Sequence, residues 1–233
     1  MDGLGALRAA PLLQDLSDDQ RKATAQDLRR IDLRAGQRLW SEGDAAREVY
    51  VLAEGAILIS RVGPDGNELI IKIYIDSEVL GKIDALAGAT RTSNANAVGP
   101  SLCYALPVQE LEALMAGNSG LALRLLRDVS ETSRGQLEAI SDLVFRDIRE
   151  RVALKLLELA RSNGESTGVG KRITLRLSQS QLAGMVAASR ANVNRALATF
   201  IARGDVTHSR GYFTIMRPES LEVVAVKHPG EPA

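Results

Sequence analysis

The chain has 233 residues with 29 basic and 29 acidic side chains, so its formal net charge is zero. Apolar residues make up 45% and charged residues 25%, which is ordinary globular composition and excludes a disordered chain. No stretch approaches the roughly 18 consecutive apolar residues of a membrane span, and the first eleven residues lack a secretory layout. We therefore expect a cytoplasmic protein. Its single cysteine, Cys103, excludes an internal disulfide and a multi-thiolate metal site.

The neutral total hides a separation of charge along the chain. Residues 1–148 carry 16 basic and 22 acidic side chains, a net of −6, whereas residues 149–217 carry 12 and 4, a net of +8. Residues 218–233 carry one basic and three acidic side chains, a net of −2. This asymmetry predicts two modules with different partners, the second suited to a polyanion.

The first half of the chain has the pattern of a small β-domain. Between Gly36 and Leu106, short apolar runs alternate with turn residues such as Asp65-Gly66, a good hairpin signal because glycine accepts a positive φ. Strands spaced in this way predict an antiparallel roll or sandwich. The predicted strands are Arg38–Trp40, Val49–Leu52, Ala56–Arg61, Leu69–Tyr74 and Leu102–Leu106.

The pattern changes to helix from about Ser119. One stripe runs along this helix at intervals of three and four residues, which favours packing against a second copy across a two-fold axis. The alternative is that the stripe packs on the β-domain of its own chain. A second helix is predicted from about Asp147 to Ser162, and Asn163–Lys171 is interpreted as a polar, glycine-rich loop. The stripe consists of Leu126, Val129, Ser133, Leu137, Ile140 and Val144.

Residues 178–202 contain the signals of a helix-turn-helix. Ser178 and Gln181 form a capping box before one short helix, and Ser189 is a second N-cap that starts the next. Residues just after that second cap point into the DNA major groove, where an arginine can donate two hydrogen bonds to guanine. A wing hairpin with a basic tip follows at residues 208–215. The predicted DNA-binding residues are Ser178, Gln179, Ser189, Arg190, Asn192, Asn194, Arg195 and Arg210.

An ordinary helical hairpin with solvated arginines is the alternative interpretation of this segment. Two caps at the right separation, the net charge of +8 and the wing all argue against that alternative. A second alternative keeps the fold but has the winged helix bind protein, which would make the chain a non-enzymatic ligand-sensing or interaction module.

Taken together, these motifs resemble the CRP/FNR superfamily of bacterial transcription regulators over nearly the whole chain. The resemblance implies an α+β fold: an N-terminal antiparallel β-roll of the cyclic-nucleotide-binding type, a long dimerisation helix and a C-terminal winged helix-turn-helix. It places these parts at residues 1–118, 119–147 and 148–233, and implies a homodimer that binds palindromic DNA and contacts RNA polymerase.

Two alanines depart from the pattern of that superfamily. Ala191 stands where a glutamate often lies between the two arginines, so the preferred half-site should differ from, or be looser than, the best-known one at that base pair. Ala187 replaces the usual turn glycine, which is tolerable only if the residue stays out of positive φ.

The family's phosphate cassette is only partly present. Gly81, Arg91 and Thr92 match it, but Lys82 stands in place of the glutamate that takes the ribose hydroxyl, and Asp84 is expected to pair with Lys82 or Arg91. Three alternatives stay open: a different anionic or nucleotide-like effector, no small ligand, or ordinary cyclic AMP or GMP. The pocket residues, if there is an effector, are Gly81, Lys82, Arg91, Thr92, Ser133 and Gln136.

Other function classes find little support in the sequence. Cys103 is alone on a predicted strand, and both histidines, His208 and His228, lie in the C-terminal part, so an iron–sulfur or haem sensor is not indicated. No nucleophile–histidine pattern or phosphate-binding Gly-x-x-x-x-Gly-Lys loop is present. We therefore predict neither an enzyme, nor catalytic residues, nor metal ligands.

Overall fold

The structure, a computed structural model, describes residues 1–226. These residues form two compact units. The first comprises Met1–Arg61 and Ile71–Gly135, and the second comprises Val62–Ile70 and the described residues from Gln136 onward. The fold class is the predicted mixture of an N-terminal antiparallel β-domain, a long helix and a C-terminal helix-turn-helix.

Two four-stranded antiparallel sheets pack together as the β-roll of the first unit. One sheet has the order β1-β8-β3-β6 and the other the order β2-β7-β4-β5. All five predicted strands are present, each extended by zero to two residues at its ends, while β1, β6 and β7 were not predicted. The strands are β1 Arg29–Leu33, β2 Arg38–Trp40, β3 Glu48–Glu54, β4 Ala56–Val62, β5 Glu68–Ile75, β6 Val79–Leu80, β7 Asn94–Ala97 and β8 Ser101–Pro107.

Short helices surround the roll. The roll has one apolar core between its sheets, which includes Trp40, Leu52 and Cys103, and a second core beneath the flanking helices, which includes Leu7 and Leu111. Cys103 lies on β8 and is fully buried, as predicted. The helices are α1 Gly3–Ala9, a 3-10 turn at Pro11–Leu13, α2 Asp18–Asp27, α3 Lys82–Leu86 and α4 Val108–Gly117.

The long helix, α5, spans Ser119–Phe145. It buries Leu121 and Leu125 against the core of the first unit. The predicted stripe lies on a different face and is largely exposed: the exposed fraction of four of its members is between 58% and 68%, and Val129 is half-buried. The interpretation that the stripe packs on the chain's own β-domain is therefore wrong, because that role falls to Leu121 and Leu125.

The second unit contains the helix-turn-helix and its own sheet, with the order β11-β12-β10-β9. The segment interpreted as a loop at Asn163–Lys171 is instead mostly a β-hairpin, since Gly170–Ile173 pairs antiparallel with Gly164–Thr167. Its elements are α6 Ile148–Asn163, β9 Gly164–Thr167, β10 Gly170–Ile173, α7 Gln179–Met185, α8 Arg190–Ala202, β11 Val206–Ser209, β12 Tyr212–Ile215 and α9 Pro218–Val226.

Within residues 1–226, no helix is long and apolar enough to cross a membrane. The same residues contain no cluster of three or more histidine, cysteine, aspartate or glutamate side chains that could hold a metal ion. His228 and the last part of the predicted 148–233 domain lie outside the described residues.

Candidate nucleic-acid interface and ligand cassette

The helix-turn-helix forms as the capping residues predict. The Ser178 hydroxyl accepts from the Gln181 backbone N–H at 3.1 Å, and the Gln181 side chain accepts from the Ser178 N–H at 2.9 Å. Ser189 caps α8 by accepting from the Asn192 N–H at 3.3 Å. The reciprocal cap of α7 and the single cap of α8 satisfy backbone donors that the first turn of a helix leaves unpaired, so both helices begin at defined residues.

The turn between the two helices adopts a backbone conformation that its sequence does not favour. Ala187 has a φ of +47°, in the left-handed region. The expectation that this residue stays out of positive φ is therefore wrong. The turn must reverse the chain within three residues after α7, and the Ala188 N–H still bonds back to the Ala183 carbonyl at 3.1 Å. A left-handed alanine costs about 1–2 kcal/mol.

Helix α8 packs one face on the core and leaves the other open. Val193, Leu197 and Phe200 are buried together with apolar residues of α6 and α7. Arg190 and Arg195 are both exposed. The open face of α8 also includes Ala198, which was not among the predicted DNA-binding residues. Its helical spacing from residues 191 and 195 could have indicated it.

The two asparagines of α8 differ in their hydrogen bonds. The amide oxygen of Asn192 accepts a hydrogen bond from the Arg195 guanidinium, so Asn192 orients that arginine along the open face. Asn194 is half-buried, and its amide oxygen finds no hydrogen-bond partner among the described residues. Ser178 and Ser189 are exposed at the two helix starts and Gln179 is half-buried in the first turn of α7, where backbone N–H groups favour phosphate oxygens.

The predicted wing is a tight hairpin of β11 and β12. Ser209 pairs with Tyr212, so Arg210 and Gly211 alone make the turn, with φ values of +53° and +85°. This left-handed pair matches the twist of antiparallel strands. The turn places the exposed Arg210 at the tip, and the backbone carbonyl of Gly211 accepts from the Leu177 N–H at 2.8 Å.

In the first unit, the cassette lysine is buried. Lys82 lies at the start of α3 with only 3% of its surface exposed. Its Nζ donates to the Val79 carbonyl at 2.8 Å and lies 3.0 Å from Oδ2 of Asp128, on α5. Burial lowers the pKa of Lys82, while the Asp128 charge opposes that shift. The partner of this lysine is therefore an acid that the sequence analysis did not select.

The cassette arginine is equally enclosed. Arg91 is 2% exposed, and its guanidinium donates to the carbonyls of Gly81, at 2.6 Å, and Glu48. The guanidinium carbon lies 4.4 Å from the centre of the Trp40 ring, which itself stacks on Tyr50. Such a cation over an aromatic face is attracted by the ring quadrupole. Arg91 therefore joins segments of the roll that are distant in sequence.

The other predicted pocket residues are arranged differently from the expectation. Asp84 pairs with neither Lys82 nor Arg91: its carboxylate accepts from the Thr92 N–H and hydroxyl at 3.2 and 3.0 Å. That expectation is wrong because Thr92 offers two donors to the first turn of α3, while Lys82 reaches α5 instead. Ser133 and Gln136 are exposed on α5.

The model of the cyclic nucleotide-binding domain matches residues 30–118, and that of the Crp-like helix-turn-helix domain matches residues 150–224. The chain is 30% identical over 198 residues to the CRP-like cAMP-activated global transcriptional regulator of Mycobacterium tuberculosis, covering 85% of this chain and 88% of that protein. The chain belongs to the CRP/FNR family of transcription regulators. Its helix-turn-helix is a DNA-binding one.

Other proteins are similar to this chain in sequence or in fold. The global nitrogen regulator of Nostoc sp. is 28% identical over 181 residues, which cover 77% of this chain and 81% of that protein. The structure of FixK2 from Bradyrhizobium japonicum matches with a TM-score of 0.76 at 18% identity, covering 86% of this chain and 98% of that one. That of the c-di-GMP responsive regulator CLP from Xanthomonas campestris matches with 0.73 at 20% identity, covering 85% and 99%. At such identities the structures support the fold alone.

Proposed function

We propose that the chain is a cytoplasmic, homodimeric, sequence-specific DNA-binding regulator that is not controlled by ordinary cyclic AMP. Residues 1–118 act as the sensor module, residues 119–147 as the dimerisation helix and residues 148–233 as the DNA-reading domain. RNA polymerase is the expected protein partner, since the CRP/FNR resemblance implies it. The observation that carries this function is the capped helix α8 with Arg190 and Arg195 exposed, followed by a wing with Arg210 at its tip.

Dimerisation is supported by the exposed stripe of α5. Leu126, Leu137, Ile140 and Val144 are all more than half exposed along one face of a 27-residue helix. Apolar side chains in such a row are costly to leave in water and are typical of helices that pair with a partner. A second copy of the same helix buries the same stripe by two-fold symmetry.

DNA reading is assigned to α8 of each subunit. Arg190 and Arg195 each offer a planar set of donors that fits O6 and N7 of guanine, and Asn192 holds Arg195 in place. Ser178, Gln179, Ser189 and Asn194 are assigned to phosphates or base edges around the two helix starts. The methyl group of Ala191 has no acceptor for a cytosine amino group, so that base pair should be read loosely.

The effector assignment follows from the state of the cassette. Lys82 occupies the position of the ribose-binding glutamate and is bonded to the Val79 carbonyl and paired with Asp128. Calorimetric titration should therefore detect no binding of cyclic AMP or cyclic GMP to the wild-type chain. Binding at micromolar concentrations would contradict this assignment.

Selection of bound duplexes from a random pool tests the function directly. The wild-type chain should enrich a palindrome with half-sites about one helical turn apart, with or without cyclic nucleotides. Arg190→Ala and Arg195→Ala should each cost about 1–3 kcal/mol of binding and relax one position per half-site. Arg161→Ala removes the same charge from an exposed position on α6, outside the helix-turn-helix and wing, and serves as the control.

The outcomes of this selection distinguish base readout by the two arginines from phosphate contact, and DNA binding from its absence. Uniform weakening across all sequences would mark the two arginines as phosphate contacts. No salt-dependent duplex binding by the wild-type chain would favour the alternative of a ligand-sensing or protein-interaction module.

A further inference from the structure

Both cations of the cassette already have partners within the chain. The Lys82 side chain is 4% exposed, donates a hydrogen bond to a backbone carbonyl and pairs with a carboxylate. The Arg91 guanidinium donates to two backbone carbonyls and lies over an aromatic ring. A buried ammonium or guanidinium is stable only when such partners replace its water. An incoming phosphate would therefore have to displace groups that belong to the fold.

Asp128 is the partner that comes from outside the roll. It lies on α5, and its Oδ2 is shielded from solvent, where it makes no hydrogen bond with any other described group. The Lys82 ammonium at 3.0 Å is therefore its compensating charge. The pair connects α3 of the cassette directly to the long helix. The Tyr74 ring also lies near this pair, with its centre 5.7 Å from Lys82 Nζ.

Because Asp128 lies on α5, its ion pair with Lys82 also affects the direction in which the stripe of that helix points. Asp128 directly precedes Val129 and follows Leu126 by two residues, so it lies outside the stripe, on the face of α5 that also carries Leu121 and Leu125. Leu121 and Leu125, on neighbouring turns, are buried against the first unit. The Lys82–Asp128 pair, a second ion pair between Arg124 and Asp15 at 2.8 Å, and the two buried leucines hold α5 at a fixed rotation about its own axis. That rotation decides which face α5 presents to a partner.

We propose that the ion pair between Lys82 and Asp128, formed within the chain, takes the place of a bound effector. It holds α5 against the cassette with no small molecule, so the stripe is presented for dimerisation and DNA binding at all times. This inference rests on the proposed function, and it selects the alternative of no small ligand from the three that the sequence left open.

The test uses the full chain and a duplex from the selection, without any nucleotide. Lys82→Met and Asp128→Asn each remove one charge with little change of volume, and each should raise the Kd for the duplex at least about tenfold. Combining Lys82→Asp with Asp128→Lys should recover most of that loss. Lys72→Met is the matched control, because Lys72 also lies over the Tyr74 ring and pairs with Glu78 at 3.2 Å. Among the described residues, Lys72 forms no ion pair with a side chain of α5.

Hydrogen exchange supplies a second readout that does not depend on DNA. Amides of residues 122–132 should exchange faster in Lys82→Met and Asp128→Asn than in wild type or Lys72→Met. If the reversed pair fails to fold, Asp128→Glu replaces it: the glutamate keeps the charge and should retain wild-type exchange and affinity where the asparagine does not.

The outcomes distinguish this inference from the function on which it rests. Single variants with wild-type affinity and wild-type exchange would overturn the proposal that this ion pair replaces an effector. A wild-type chain whose affinity for the duplex rises when cyclic AMP is added would overturn it as well. A wild-type chain that binds no duplex would overturn the proposed function instead. In that case, the exchange of residues 122–132 still decides whether the pair holds α5.

Discussion

Lys82 and Arg91 show how the environment of a side chain can change its role. Both are cations at positions where the family resemblance implies ligand contacts, and both are buried with partners from their own chain. The partner of Lys82 lies 46 positions away on another element. No local pattern marks Asp128 among the many acids of the chain, so sequence reasoning selected the nearby Asp84 and was wrong.

Ala187 offers a test of backbone strain at a single residue. Glycine has no Cβ and adopts a φ of +47° without the steric cost that alanine bears. We expect Ala187→Gly to raise the free energy of unfolding by about 1 kcal/mol. Denaturant unfolding measures the change.

Ala188→Gly is the matched control for that substitution. Ala188 is the next residue of the same turn, but its φ is not positive. Its replacement should lower stability by up to about 1 kcal/mol, because glycine increases the freedom of the unfolded chain. A lower stability for Ala187→Gly as well would show that the left-handed turn carries no strain.

Cys103 gives a second prediction at the residue scale. Burial on β8 raises the pKa of its thiol from 9.0 to about 12. Because the thiolate is the nucleophile, the native chain should react very slowly with iodoacetamide between pH 8 and 9, and the denatured chain should react readily. Mass spectrometry follows the alkylation. Rapid modification of the folded chain would contradict the buried position.

At the scale of elements, local signals were enough to predict the helix-turn-helix but not the hairpin of β9 and β10. The caps at Ser178 and Ser189 act within three residues, so the starts of α7 and α8 were predictable. The hairpin of β9 and β10 was not, because glycine and polar side chains are equally common in loops. It depends on the sheet around it, because β10 pairs with β12 on one side and with β9 on the other.

The stripe of α5 leads to a prediction about assembly. Leu137→Glu places a charge in the middle of the exposed apolar row and should shift the proposed dimer toward monomer, because an unpaired charge is costly to bury in an interface. Ala139→Glu is the control: two positions further on, its side chain points about 200° around the helix from Leu137. Analytical ultracentrifugation measures both. A dimer that tolerates Leu137→Glu but not Ala139→Glu would move the interface to another face.

At the scale of the whole molecule, the zero net charge is the sum of unlike parts. The positive part, residues 149–217, contains the helix-turn-helix and the wing, while the acidic part contains the β-roll. The acidic β-roll disfavours loose contact with a polyanion. Binding should therefore depend on the aligned α8 helices and be sensitive to salt.

Salt titration of duplex binding tests this separation of charge. Arg210→Ala at the wing tip should weaken binding to all sequences about equally and reduce the slope of log K against log salt by about 1 per subunit. Arg34→Ala removes the same charge from an exposed position in the first unit and should leave the slope unchanged. Equal effects of the two substitutions would indicate a general field rather than a wing contact.

The sequence alone determined those features that depend on near neighbours: the glycine-punctuated strands, the two capped helices, the wing and the identity of the side chains on α8. The tertiary structure decided which of the candidate side chains are available. It buried Lys82 and Arg91 among their own partners, left the α5 stripe exposed and set Ala187 in a left-handed turn. The physical reason is that the free energy of a buried charge or a strained backbone depends on groups brought together from distant parts of the chain, and no local pattern records them.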